Sequence, residues 1–253
     1  MRDKLKVLYL DRTTPYTITQ PARLKHNSTA SSTTATPPPA GPGARHRAQP
    51  GLTNPETTAH IGRMPRASVR EQIVDAAYEQ FHRHGYNAAG VKLITDSAGV
   101  PKGSFYNHFE SKEALALVVM DRYGESRHLE TLADKKKAPL TRLREHFEFL
   151  AKDIVDFGYE RGCVYGNFST EAADHIPAIR EGVRGGFDHW AAAITAAIRE
   201  AQEDGSITST QDPETLGRFL VNAWEGAIVG ERAAKDGSSF AAFFTIAFDT
   251  LLR

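Results

Sequence analysis

From Ser68 to the C-terminus, apolar residues recur at helical spacing. Ile73, Val74, Ala77 and Phe81 fall three and four apart, which places them on one face of a helix. Ser68-x-x-Glu71 ahead of them reads as a capping box, and Gly85 as the stop. Leu93 and Ile94 anchor a second helix over residues 91–98, with Gly90 before it. Gly99-Val100-Pro101 forms a turn, and a third helix follows over residues 102–108. Ser111 caps a fourth, with Glu113 in its first turn, and Leu115, Val118, Val119 and Arg122 carry it to about residue 132. After the break "DKKKAPL", helices are expected over residues 140–157, 168–173, 177–204, 212–235 and 239–252. No stretch alternates as a strand does, so the fold class is all-α.

The first 63 residues lack this pattern. "NSTASSTTATPPPAGPGARHRAQPG" is rich in Ser, Thr, Pro and Gly and has almost no large apolar side chain. Such a segment cannot bury enough surface to offset its ordering entropy, so it is expected to be disordered. "MPRASVREQIVDAAYEQF" has the look of a natural start, which makes Met64 the expected first residue of the functional chain. Three regions follow: a basic extension over 1–65, a helix-turn-helix domain over 66–115 and a helical body over 116–253.

Charge sharpens this division. The formal net charge is zero, but residues 1–66 carry ten Lys/Arg against three Asp/Glu, and residues 67–253 carry 21 against 28. The helical part is therefore acidic, and any contact with a polyanion must use a local patch. The single cysteine, Cys163, allows no intrachain disulfide and fits a reducing cytoplasm. No apolar run reaches the length that spans a bilayer.

The stretch "GVPKGSFYNHFESKEAL" carries the most specific chemistry. Phe105 and Phe109, four apart, pin the third helix to the first and leave an outward face of hydrogen-bonding groups. Helices two and three then form a helix-turn-helix suited to a DNA groove. Lys102 pairs with phosphate or guanine acceptors, and Gly103 lets the helix approach the groove wall. Ser104 and Tyr106 offer hydroxyls to phosphates, while Asn107 and His108 reach phosphates or base edges. Lys112 opens the next helix as a phosphate clamp, and Lys92 adds a further cation.

"IVDAAYEQFHRHGY", "ITDSAGVPKGSFYNHF" and "SKEAL" together resemble the DNA-binding domain of the tetracycline-repressor (TetR/AcrR) family. The resemblance covers about fifty residues. It implies a three-helix head, a linking fourth helix, a ligand-binding helical body, a homodimer and a near-palindromic double-stranded operator. Ala89-Gly90 stands where many members have two hydroxyl residues, which weakens the phosphate contact the resemblance implies at the start of helix two, with Lys92 as a substitute. "RGCVYGNFSTE", "FDHWAAAITAAIREAQEDGSI" and "FLVNAWEGAIVGERA" are similar to the electrophile- and acrylate-responsive subgroup.

In the body, Phe147, Tyr165, Phe168, Trp190 and Trp224 are candidate walls for a small-molecule effector, with His146 and Asn167 as polar contacts. Cys163 stands near Arg161 and Tyr159, and a neighbouring cation would favour its thiolate, making it a candidate electrophile or oxidant sensor. Leu216, Phe219, Ala223, Ile228, Phe240, Phe244 and Phe248 are candidate dimer-interface residues, since the last two helices are apolar over a wide arc. His82 and His84 stand two apart, and His175 and His189 lack companions, so no metal or cofactor is expected. The rival reading is a helical enzyme or adaptor using Cys163, but no catalytic grouping or phosphate loop supports it.

Overall fold

The structure is a computed structural model that describes residues 67–253. The expectations for the first 63 residues and for Met64 lie outside the described residues.

Three helices come first: α1 (Val69–Ala88), α2 (Val91–Ser97) and α3 (Lys102–Tyr106). Ser68 caps α1 by accepting from the Glu71 N–H at 3.2 Å. The capping box is only half formed, because the Glu71 carboxylate turns to Arg122 at 2.5 Å. Gly85 interrupts α1 with φ 75 and ψ −174, as the sequence indicated, and three more residues follow in a tight turn.

The turn after α2 closes as a Schellman motif. Val100 N–H donates to the Thr95 carbonyl at 3.0 Å and Gly99 N–H to Asp96 at 3.1 Å, with Gly99 at φ +67. Phe105 and Phe109 are both buried, their ring centres 5.7 Å apart, and the Arg70 guanidinium of α1 lies 5.2 Å above Phe109. α3 is shorter than expected: a last turn, His108 N–H to Phe105 carbonyl at 3.0 Å, ends it so that Ser111 can adopt the extended cap of the next helix.

That helix, α4 (Lys112–Glu125), stops seven residues before the expected end at about 132. The Ser126 hydroxyl donates to the Tyr123 carbonyl at 2.7 Å, which competes with the helical backbone bond. His128 is left-handed at φ 53, and a 3₁₀ turn over Leu129–Ala133 follows.

The body consists of α5 (Pro139–Asp156), α6 (Val164–Glu171), α7 (Pro177–Glu203), α8 (Pro213–Ala234) and α9 (Ser238–Ile246), the last running into a π turn at Ala247–Leu251. α7 packs against α4, α5, α6 and α8, so it forms the spine of the body. α6 begins earlier than residue 168 because Val164 and Phe168, one turn apart, are its two buried anchors. Among the described residues there is no strand and no helix long and apolar enough to cross a membrane.

Among the described residues nothing lies within 4 Å of a Cβ at Gly99, so alanine there isolates the backbone. Gly99→Ala is expected to lower stability by about 1–2 kcal/mol through the left-handed conformation alone. Urea unfolding at fixed temperature measures it.

Candidate functional site

Two features stand out above the fold: the outer side of α3 and a cavity inside the body. On α3 and the turn that ends it, Lys102, Gly103, Tyr106, Asn107 and His108 are exposed and Ser104 is half-buried, with Tyr106 58% exposed. Among the described residues nothing lies within 4 Å of a Cβ at Gly103. The chain's own packing therefore does not require glycine there, although glycine weakens a helix by about 1 kcal/mol relative to alanine. Lys92 is exposed and paired with Asp96 at 2.5 Å, an exchangeable surface pair of small worth. Lys112 departs from the expectation. Its Nζ donates to the Tyr86 carbonyl at 2.9 Å and sits 4.0 Å from the Tyr86 ring centre, so it fastens α4 to α1 rather than projecting as a phosphate clamp.

The cavity offers about 50 Å³ to the centre of a water-sized sphere. Its wall draws on α1 and α4 to α8: His82 from α1, Tyr123 and Gly124 from α4, Arg127, Leu150 and Asp153, then Cys163, Tyr165, Trp190, Trp224 and Glu225. Four of the expected ligand residues, Cys163, Tyr165, Trp190 and Trp224, do meet here.

The other four do not line it. His146 accepts the Trp190 indole N–H at 2.9 Å and lies behind the wall, in a separate groove with His128 and Phe149. Phe147 fills an aromatic core with Trp224 and Phe243 at 5.2 and 4.8 Å. Asn167 Oδ1 accepts from Arg232 at 3.1 Å. Phe168 faces α1, its ring 5.2 Å from Phe81 and 5.4 Å from Tyr86. The helix stripes put aromatic residues inside without saying which ones border space.

Tyr165 is held closely. Its hydroxyl donates to the Met120 carbonyl of α4 at 3.0 Å. Its ring passes between two glycines: a Cβ would come within 2.7 Å of the hydroxyl at Gly124 and within 2.5 Å of the ring at Gly186. The same ring borders both the cavity and an outer groove between α4 and α7.

The polar groups of the cavity are mostly uncharged. Burial, then the charges of Arg127 and Arg161, push His82 down to about 3, so its imidazole is neutral at physiological pH. Burial pushes Glu225 up to about 7. Arg127 stays protonated against its burial because Tyr123 and Asp153 hold it, the latter at 3.0 Å.

The expectation for Cys163 is reversed. Burial, then the Glu225 carboxyl beside it, push the thiol well above its ordinary range. The Arg161 guanidinium is turned away, paired with Glu79 and stacked 3.2 Å from the Phe157 ring centre. The neighbouring cation in sequence is not a neighbour of the sulfur.

The interface expectations divide in the same way. Leu216, Ile228, Phe240, Phe244 and Phe248 are buried in the chain's own core, where α8 packs on α7 and α9. Phe219 is 50% exposed and Ala223 half-buried, and Val229, 70% exposed, continues that outer face of α8.

Residues 73–119 match the family of bacterial regulatory proteins called tetR, and residues 139–247 match the tetracyclin repressor-like C-terminal domain. The transcriptional repressor DhaR of Mycobacterium sp. (strain GP1) is 34% identical over 75% of this chain and 95% of its own length. The chain belongs to the TetR family. It is a DNA-binding transcriptional regulator, all-α as expected. AcuR of Cereibacter sphaeroides, a transcriptional regulator, is 32% identical over 65% of this chain and 77% of its own. The crystal structure of a regulatory protein TetR from Rhodobacter sphaeroides superposes with a TM-score of 0.67 at 28% identity, covering 71% of this chain and 96% of that one. Reduced NemR of Escherichia coli shares the fold, with a TM-score of 0.65 at 21% identity over 74% of this chain and 98% of that one. In this TetR-family chain, sequence reasoning missed His82, Tyr123, Arg127, Asp153 and Glu225. Glu225 left one signal, a lone acid inside the apolar run "FLVNAWEGAIVG".

Glu225 makes stability depend on pH, and Cys163 sets a difference in reactivity. The folded-state pKa of Glu225 is raised, so the folded chain binds a proton that the unfolded chain has lost between about 4.5 and 7. Its contribution is present at low pH and disappears as pH rises through 7. The wild type should lose stability relative to Glu225→Gln between pH 5 and 8, by up to about 3 kcal/mol; chemical denaturation at several pH values measures it. Cys163 in the native fold should react with iodoacetamide at least about a hundredfold more slowly than in urea, because the thiolate is scarce and enclosed. Mass spectrometry of timed samples checks this.

Proposed function

We propose that the protein is a homodimeric repressor that holds its operator through the outer side of α3 and releases it when a small molecule fills the cavity. The observation that carries this reading is Gly103 on α3. It is a glycine in a helix, facing open space, among exposed Lys102, Tyr106, Asn107 and His108. A surface that gains nothing internally from glycine gains from it when another surface must come close. Lys92 contributes a phosphate contact by exchanging Asp96 for the backbone of the duplex.

Release acts through α1 and α4, since His82 and Tyr123 border the cavity and belong to the helices that carry the head. Tyr165 extends this route, being bonded to α4 at Met120. Two heads are placed at half-site spacing by a dimer formed on the outer face of α8 and α9, where Phe219, Val229 and Ile246 are exposed and Ala223 is half-buried. The relatives DhaR and AcuR, a named repressor and a named regulator, support the functional class. The boundaries that fit this division are a head over 66–115 and a ligand-binding, dimerising body over 116–253.

Operator fragments found by genomic footprinting allow the test. Tyr106→Ala or Lys102→Ala should weaken operator binding by about 10- to 100-fold at fixed salt with the oligomeric state unchanged. Lys102→Ala should also flatten the slope of log affinity against log salt by about one per lost contact. Gly103→Ala should leave the fold as stable or up to about 1 kcal/mol more stable, yet bind the operator less well. Unchanged affinity in all three variants overturns the assignment of α3 to the groove.

A further inference from the structure

We infer that the cavity selects its ligand by charge: it takes a small uncharged molecule with an apolar body and one hydroxyl or carbonyl group, and it rejects carboxylates and ammonium ions. This inference rests on the reading of the cavity as the effector site and deepens it.

Two atoms of the cavity wall are orphaned. His82 Nδ1 and Glu225 Oε1 are shut off from solvent and have no hydrogen-bond partner, and both residues line the cavity. A buried polar atom left unpaired costs about 1–3 kcal/mol, and of the seven such side-chain atoms among the described residues these two belong to the cavity wall. The Glu225 carboxyl is built in. Gly166 on α6 leaves room for it, since a Cβ there would fall 2.3 Å from Glu225 Oε2. A carboxyl tucked against a helix backbone, facing a cavity, with one oxygen unmatched, is a fixed hydrogen-bonding position for something not in the chain.

The electrostatics select the partner. An anion would need a free cation. Among the described residues the basic side chains of the wall are His82, Arg127 and His189; Asp153 already pairs with Arg127 at 3.0 Å, and His189 is exposed and also borders the outer groove. The Arg127 guanidinium also lies 4.6 Å from the Tyr123 ring centre. A cation would need a committed carboxylate, and it would sit beside the Arg127 charge. Burial leaves Glu225 about half protonated near pH 7 and His82 neutral. A protonated carboxyl both donates and accepts, which suits a hydroxyl or a carbonyl. Trp190, Trp224 and Leu150 supply apolar walls for the carbon body. A water needs about 10–15 Å³ by the same measure of space, so the cavity suits a ligand of about four to six heavy atoms.

The test uses the full chain and four molecules of one size: 1-butanol, butan-2-one, butyrate and butylammonium. Affinity is measured by calorimetry at pH 7, together with the shift in melting temperature. The alcohol or the ketone should bind and raise the melting temperature, while butyrate and butylammonium should not. Glu225→Gln, which keeps a neutral donor and acceptor, should hold affinity within about threefold, and Glu225→Leu should lose about tenfold or more. Should Glu225→Leu fail to fold, the Gln variant still decides, because a cation site would lose its ligand in that variant. Binding of either charged molecule as tight as that of the neutral ones overturns the inference. So does loss of binding in Glu225→Gln, or no binding by any of the four at tens of millimolar. Operator release is read separately: neutral binding without release leaves the charge selection standing and removes the effector reading.

Discussion

An eight-residue helix, α6, joins the two functions of this chain, and most of the architecture depends on how its ends are held. At one end Cys163 and Tyr165 line the cavity and Gly166 leaves room for the Glu225 carboxyl; at the other, Phe168 and Glu171 close on α1. The Phe168 ring is buried against Phe81 and Tyr86, and burial of such a side chain is worth about 2–3 kcal/mol. The Glu171 carboxylate accepts the Asn87 N–H at 2.8 Å, just past the break at Gly85, where the helix has released its own backbone bonds. A Cβ at Gly85 would strike that carboxylate at 1.8 Å. The glycine therefore serves two purposes: it adopts the left-handed conformation and clears the seat for Glu171. α6 cannot shift without disturbing α1, and through Tyr165 and Met120 it is tied to α4 as well.

The interior chemistry follows from the same close packing. His82, Tyr123 and Tyr165 form a chain of edge-on rings, with centres 5.4 and 5.3 Å apart. A histidine in such surroundings has little water to solvate its charge, so it remains neutral. The acid at Glu225 and the thiol at Cys163 are biased the same way, toward their protonated forms. One charge pair, Arg127 with Asp153, persists because each ion has the other and Arg127 also bonds Ser126 Oγ at 3.1 and 3.2 Å. Removing one member alone would strand a buried ion, so the pair works as a unit. A region so reluctant to hold net charge suits a neutral guest and keeps its cysteine unreactive while undisturbed.

Much of the fold was legible because its signals are local. Ser68, Gly85, Gly99 and Ser111 mark helix ends by backbone chemistry that acts within a few residues, and each sits at such an end. The end of α4 was not legible, since it depends on Ser126 turning inward and Arg127 reaching Asp153, 26 residues away. The site was legible in half. Spacing shows that Trp190, Trp224 and Tyr165 point inward, but the difference between a core residue and a wall residue is the presence of space, which is a property of the assembled helices. Phe147 and Trp224 have the same pattern in sequence and opposite fates. Cys163 misled for a related reason: adjacency to Arg161 in the chain says nothing about where a long flexible side chain finds its partner. Phe240, Phe244 and Phe248 misled because α9 needs its aromatic face to close its own body before any partner arrives.

On the effector reading, the size of the cavity limits what one ligand can do. Turning a regulator from about 99% in one arrangement to 99% in the other takes about 5.5 kcal/mol of differential affinity. A ligand of about five heavy atoms binds with at most about 1.5 kcal/mol per atom, and only the part that differs between arrangements counts. One small molecule would have to direct nearly all of its binding energy into discrimination. Two cavities in a dimer that switches as a unit divide the requirement, to about 2.7 kcal/mol each, which is within reach of one orphaned hydrogen bond satisfied and one ring displaced. The placement of His82 and Tyr123 on the wall makes such discrimination direct, because the helices that would move are the ones the ligand touches. A cavity bounded by the body alone would need relays; this one has His82 of the head's α1, and Tyr123 of the linking α4, in its lining.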